Sequence, residues 1–192
     1  MRLLGDPDNN YSTRFRVLYF WAGMCYNTKS FVKRRVFMSV EKATVHLKEF
    51  GLEDKIMLFD VSSATVADAA KAIGCKEAEI AKSLSFLVEE APVLIVAAGD
   101  AKVDNGKFKA RFHTKAKMLP FDSVEPLIGH GVGGVCPFGV NEGVKVFLDV
   151  SLKRFDIVYP ACGNASSAVK LTLEELEKAS LAAEWIDVCK GY

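Results

Sequence analysis

Ile80-Ala81-Lys82-Ser83-Leu84-Ser85-Phe86-Leu87-Val88-Glu89-Glu90-Ala91-Pro92-Val93-Leu94-Ile95-Val96-Ala97-Ala98 is the stretch from which the fold is read. A short helical turn around Lys76–Ala81 leads into a strand over Ser83–Glu89. Ala91-Pro92 turns the chain, and Val93–Ala98 is an uninterrupted apolar run, the pattern of a strand at the centre of a sheet with both faces covered. Upstream, Ser39 is placed to cap a first helix whose apolar positions are Val40, Ala43, Val45, Leu47 and Phe50, with Gly51 at its end. Lys55–Asp60 reads as a strand. Thr65 opens a second helix in which Val66, Ala69, Ala70 and Ile73 fall at i, i+3, i+4 and i+7, and Gly74 closes it.

Downstream, Asp104–Lys117 is ambiguous. Its basic residues (Lys107, Lys109, Arg111, Lys115, Lys117) read as a solvated face, with contact to RNA phosphates as the functional alternative. Asp122–Ile128 reads as a helix, and Val144–Asp149, Phe155–Tyr159 and Ala168–Leu171 as strands. Thr172-Leu173-Glu174-Glu175 is a capping box that opens a last helix running to about Ser180. Strands and helices are interspersed without strict alternation. This predicts an α+β fold, a mixed and mostly antiparallel sheet or barrel flanked by helices, and not a doubly wound parallel sheet.

With 192 residues, half of them hydrophobic, the chain suits one domain with a full core. No apolar run is long enough to span a bilayer, and no membrane contact is expected. The net charge of +1 is unevenly spread: residues 1–37 carry seven Lys/Arg against two Asp, so the remainder is net acidic at −4. That sign excludes a generic nucleic-acid binder, DNA included, and confines any RNA contact to a local patch. Residues 1–37 mix aromatics with arginines without a sustained period and lack the order of a signal peptide. They are expected to be a poorly ordered basic extension, with the domain at 38–192. Five cysteines without a CxxC, and three histidines without ligand spacing, argue for reduced thiols in a cytoplasmic protein, with neither metal nor cofactor.

Two features carry the chemistry. Lys82 enters an apolar strand, so its ammonium either snorkels to water or meets an anion. Five of the chain's 14 glycines fall within Gly129–Gly139, where positive φ and close ligand approach become possible. The plain alternative is a tight turn between two buried strands. Pro137 fixes one φ there and removes one N–H. Cys136, within this segment, is a candidate nucleophile without a base placed beside it, so a buried inert thiol is the simpler reading. A second small-residue segment, Tyr159–Ser167, holds Cys162 and could form another wall of a pocket.

Three blocks together resemble the YbaK/EbsC family of aminoacyl-tRNA deacylases, the free-standing relatives of the editing domain inserted in bacterial prolyl-tRNA synthetase. They are the helix Thr65–Gly74 followed by Ile80-Ala81-Lys82-Ser83-Leu84, the strand Ile95–Asp100, and Gly133-Gly134-Val135-Cys136-Pro137-Phe138-Gly139. The resemblance covers the chain from about Met38 onward. It implies a pocket for the aminoacyl end of a mischarged tRNA, with tRNA-Pro as carrier and prolyl-tRNA synthetase as a candidate partner. It also implies Lys82 as the electrostatic anchor, with Gly133 and Gly134 as the backbone cradle for the developing oxyanion. Ser83, Phe59, Cys136, Pro137, Gly139 and Ser166 are expected to line the pocket. The chain departs from the cysteinyl-tRNA editors at Thr65 and Val66, where those have an aromatic-glycine pair. It departs again at Gly163–Ala168, where Asn164, Ser166 and Ser167 stand in place of an aspartate. Both differences count against a cysteinyl substrate. Two other readings are a module that binds an aminoacyl end or nucleotide without hydrolysing it, and a thiol-dependent protein built on Cys136 and Cys162.

Overall fold

The computed structural model describes residues 28–60 and 65–192, with side chains from Ser39 onward. In chain order the elements are α1 (Thr28–Glu49), β1 (Ile56–Leu58), α2 (Val66–Ile73), β2 (Ile80–Val88), β3 (Ala91–Ala98), β4 (Lys102–Val103), α3 (Asn105–Phe112), α4 (Phe121–Ile128), β5 (Lys145–Asp149), β6 (Ile157–Pro160), β7 (Ser167–Val169), β8 (Leu171–Thr172), α5 (Leu173–Ser180), β9 (Glu184–Ile186) and β10 (Cys189–Lys190). Residues 1–27, most of the expected N-terminal extension, lie outside the described residues. Helix α1 begins ahead of Ser39, so Ser39 lies within the helix and does not cap it.

The main sheet has the order β8-β6-β2-β3-β5-β9. Of the seven ladders among the described residues, four are antiparallel (β1–β7, β4–β10, β2–β3, β6–β8) and three parallel (β2–β6, β3–β5, β5–β9). Beyond β6, Ala161 bridges Ala168 of β7, which in turn pairs with β1, so the sheet curls over at this side. The fold is therefore the expected mixed sheet flanked by helices, antiparallel in most ladders overall although three of the five within the six-stranded sheet are parallel. Strand β3 lies at its centre, and Leu94 through Ala98 are fully buried.

Local chemistry explains the helices. The Thr65 side chain accepts from Asp68 N at the start of α2, and Gly74 closes it in the left-handed conformation at φ 79°. The capping box at Thr172 and Glu175 is formed in both directions. The ambiguous stretch resolves into α3, capped by Asp104, which accepts from the amides of Gly106 and Lys107. Phe108 and Phe112, four residues apart, turn inward and join Phe86 and Phe147 in a run of rings spaced 5.0, 4.7 and 5.4 Å. Two of the basic residues on its outer face are engaged by carboxylates, Lys107 by Asp187 and Arg111 by Glu184.

The glycine segment follows α4, not a strand. It stacks on the loop 161–166, and that loop stacks on α1. A Cβ on Gly134 would lie 2.4 Å from Asn164 Cα and 2.5 Å from the Gly163 carbonyl carbon; one on Gly163, itself at φ +83°, would lie 2.4 Å from the Ser39 oxygen. His130, fully buried, ties the stack together. Its Nε2 is 2.8 Å from the Phe138 carbonyl and its Nδ1 2.8 Å from the Ser39 hydroxyl. A carbonyl can only accept, so Nε2 carries the proton and Nδ1 accepts from Ser39. Burial holds this imidazole neutral, at a pKa of about 4.

Two predictions follow from the stack. Gly134→Ala should destabilise the fold by more than ~2 kcal/mol, while Gly131→Ala, whose Cβ meets nothing within 4 Å, should leave the denaturation midpoint unchanged. Equal midpoints for the two variants would rule out the close loop contact. Because the native pKa of His130 is depressed below its unfolded value, its contribution is complete above about pH 6.5 and lost as pH falls toward 4. Removing it with His130→Gln should flatten the stability profile across that window by up to about 3 kcal/mol, measured by urea unfolding at each pH.

Candidate active site

A cavity of about 360 Å³ opens between α2, α4, the glycine segment and one edge of β2. That edge is unusual. Strand β2 pairs with β3 along eight residue pairs on one side. On the other side it pairs with β6 only at Ile80 and Ala81. It then meets the segment 117–119 through Leu119 N to Ser85 O at 3.0 Å and Leu87 N to Lys117 O at 3.0 Å. Backbone groups of alternate residues point to the same edge, so those of Ser83 face this side with those of Ser85 and Leu87. Ser83 falls between the two partial neighbours. Its hydroxyl oxygen is also buried without a hydrogen-bond partner. A buried hydroxyl without a partner is costly, and a ligand that supplies one recovers that cost.

Lys82, Ser83 and Gly133, three of the residues expected from sequence, line this cavity together. The Lys82 ammonium neither reaches solvent freely nor meets an anion. It donates to the carbonyl oxygens of Gly99, at 2.9 Å, and Ala101. Burial lowers its pKa from the ordinary lysine value. Lys82 and Met118 also line a second, shallower cleft together with Leu84 and Phe86, so they stand where the two hollows meet.

The other expected residues are placed differently. The amide of Gly134 is spent inside its own loop, donating to Gly131 O at 3.0 Å, and the residue packs beneath Asn164. Gly134 therefore packs the segment in place and does not offer its N–H to the cavity. The amide of Gly133 has no partner among the described residues, and its φ of 91° is one that glycine adopts without strain. Cys136 is fully buried and does not reach the cavity. Burial pushes its thiol up to about 12, and the Cys162 thiol likewise. His130 Nε2 is 3.6 Å from the Cys136 sulfur but donates to Phe138, so it offers that thiol no base. Pro137 is buried behind the cavity, and Gly139 packs against Lys42 of α1. Phe59 and Ser166 are joined by a 2.8 Å backbone hydrogen bond and stand outside the lining.

Tyr159, Ala161 and Ser167 of the second small-residue segment line the cavity, as read from sequence, but most of the apolar wall was missed: Ile73, Met118, Leu119, Val124 and Val132. Met118 reaches the site because it bridges Phe86, a pairing between segments 32 residues apart with no local signature. Among the described residues, those lining the cavity include no carboxylate, imidazole or thiol. The site can orient and polarise a substrate through Lys82, Ser83 and Gly133, but no carboxylate, imidazole or thiol among its described walls is placed to activate a nucleophile.

Residues 61–179 match the aminoacyl-tRNA editing domain. The protein YwhH of Bacillus subtilis, of uncharacterised function, is 49% identical over 156 residues, which is 81% of this chain and 99% of that protein. The proline–tRNA ligase of Streptococcus sanguinis is 28% identical over 88 residues, 44% of this chain but only 14% of the ligase. A crystal structure described as that of a proposed trans-editing enzyme for prolyl-tRNA synthetase superposes with a TM-score of 0.72 at 27% identity, over 80% of this chain and 98% of that one. On the breadth of the domain match and the near full-length likeness to YwhH, this chain belongs to the aminoacyl-tRNA editing domain family.

Proposed function

We propose that the protein is a cytoplasmic trans-editing hydrolase that cleaves the ester of a small amino acid mischarged on tRNA, with tRNA-Pro as the carrier. The observation that carries this reading is the gap in β2 pairing at Ser83, which shares with Gly133 a cavity whose described walls hold no carboxylate, imidazole or thiol. The likeness to proline–tRNA ligases and to a proposed trans-editing enzyme supports the carrier. The cavity volume is near the lower end of the range of about 300–1,000 Å³ for ligand pockets, which suits a small acyl group.

In this reading the acyl group enters among Ile73, Leu119 and Val124, and the ester carbonyl takes hydrogen bonds from the Ser83 hydroxyl and the Gly133 amide. Lys82 attracts the phosphate of the terminal nucleotide and lends positive potential to the site. Water adds to the carbonyl carbon, the bond to the ribose oxygen breaks, and the free amino acid and a terminal hydroxyl leave. Donors already in place for the oxyanion lower the barrier without reorganising. The proton of the attacking water passes to a group of the substrate or to solvent, since the lining offers no carboxylate or imidazole. The same walls also suit a module that binds the aminoacyl end without turnover, and a rate measurement separates the two.

The test is a deacylation screen of the full chain on tRNA-Pro charged with Ala, Cys, Ser, Thr or Pro. Release of one noncognate amino acid is expected, with a loss of about a hundredfold or more in Lys82→Ala and near wild-type rates in Cys136→Ser. Binding without release would favour the module, and inactivation by Cys136→Ser would favour thiol chemistry. Ser83→Ala should separate function from stability. It removes an unpaired buried oxygen, so the thermal midpoint should hold or rise while deacylation falls about tenfold. A lower midpoint would mean that the hydroxyl serves the fold.

A further inference from the structure

The Lys82 ammonium is held by neutral oxygens, although the residue between its two acceptors, Gly99 and Ala101, is an aspartate. Among the described residues Asp100 makes no ion pair with Lys82; Arg154 takes its carboxylate instead. Arg154 Nη1 donates to Asp100 Oδ2 at 3.0 Å and Nη2 to Oδ1 at 2.5 Å. The guanidinium is itself fixed, with Nε donating to Ser151 O at 2.9 Å and the plane lying over Phe155 at 4.8 Å and Tyr192 at 4.6 Å. A bidentate fork of this kind satisfies both carboxylate oxygens at once.

The turn at 99–101 does not depend on this pair for its shape. Ala98 N donates to the buried Ser151 hydroxyl at 3.1 Å, and Ala101 N closes the turn on Ala98 O at 3.0 Å. Gly99 is pressed against the 77–79 turn so closely that a Cβ would lie 1.9 Å from Glu77 O. What the ion pair changes is the charge presented beside Lys82.

We infer that Arg154 is a positioning residue that occupies the Asp100 carboxylate, so that the Lys82 ammonium keeps its full charge for an anionic group of the substrate. An ammonium bound by carbonyls remains a cation to a third group, whereas one bound by a carboxylate presents almost no net charge. Asp100 is near enough to favour the charged form of Lys82, and Lys82 that of Asp100. Lys102 and Cys189 are the other titratable groups that bear on Lys82. This inference rests on the functional role proposed for Lys82.

The test compares wild type, Arg154→Gln and the double variant Asp100→Asn/Arg154→Gln in the full chain. It reads the deacylation kcat and, independently, the titration of the Lys82 side chain by NMR of its Cε and Nζ. Arg154→Gln should free Asp100 to pair with Lys82, lowering kcat about tenfold and moving the Lys82 titration to higher pH. Adding Asp100→Asn should restore both. If the double variant is no better than Arg154→Gln, Arg154 serves only to hold the turn and the inference falls. It falls equally if Arg154→Gln alters neither readout. A wild type without deacylase activity would overturn the functional reading, while the titration alone would still decide whether Arg154 keeps Asp100 from Lys82.

Discussion

Strand β2 changes neighbour partway along one edge, and the site exists because of it. The pairing of β2 with β6 ends at Ala81 and its bonding to the segment 117–119 starts at Ser85, so one residue of a central strand is left facing a cavity. Sheets ordinarily pair every such group, because an unpaired polar atom away from water is costly. Here the opposite side of β2 is paired to β3 from Ala81 to Val88, so the strand stays hydrogen-bonded on that side across the gap. The gap can persist because the rest of the sheet does not depend on it.

The second constraint is the roof of that gap. Three backbones come into contact at Gly134, Gly163 and Ser39, at distances that no side chain could enter. His130 locks the arrangement from beneath with one hydrogen bond to the glycine segment and one to α1. The glycine-rich loop is thus rigid through packing, and its glycines serve close approach more than mobility. In the proposed function this rigidity matters for Gly133, because a preorganised amide stabilises developing charge without first having to move.

Much of the frame was legible in the chain. Thr65 and Gly74, the capping box at Thr172, and the apolar run of β3 are local signals, and the structure follows them. What was hidden is non-local. The pairing of Met118 with Phe86 and the short strands β9 and β10 depend on partners far away in sequence. Within the site, residue type showed that Lys82 and the glycines were unusual, and the family resemblance added Ser83. It did not show that the Gly134 amide is already bonded within its turn, that Cys136 is sealed behind the loop, or that Phe59 and Ser166 bond each other outside the cavity. Those are properties of where a backbone N–H points, which composition and spacing do not encode.

The central claim is that the gap at Ser83 and the facing Gly133 form the cradle for an aminoacyl ester. The most direct measurement is an amide NMR titration with an aminoacyl-adenosine in which a stable amide replaces the ester. The largest shifts are expected on the backbone amides of Ser83 and Gly133, with smaller ones along α2 and α4. Saturable binding that leaves those two amides unmoved would contradict it.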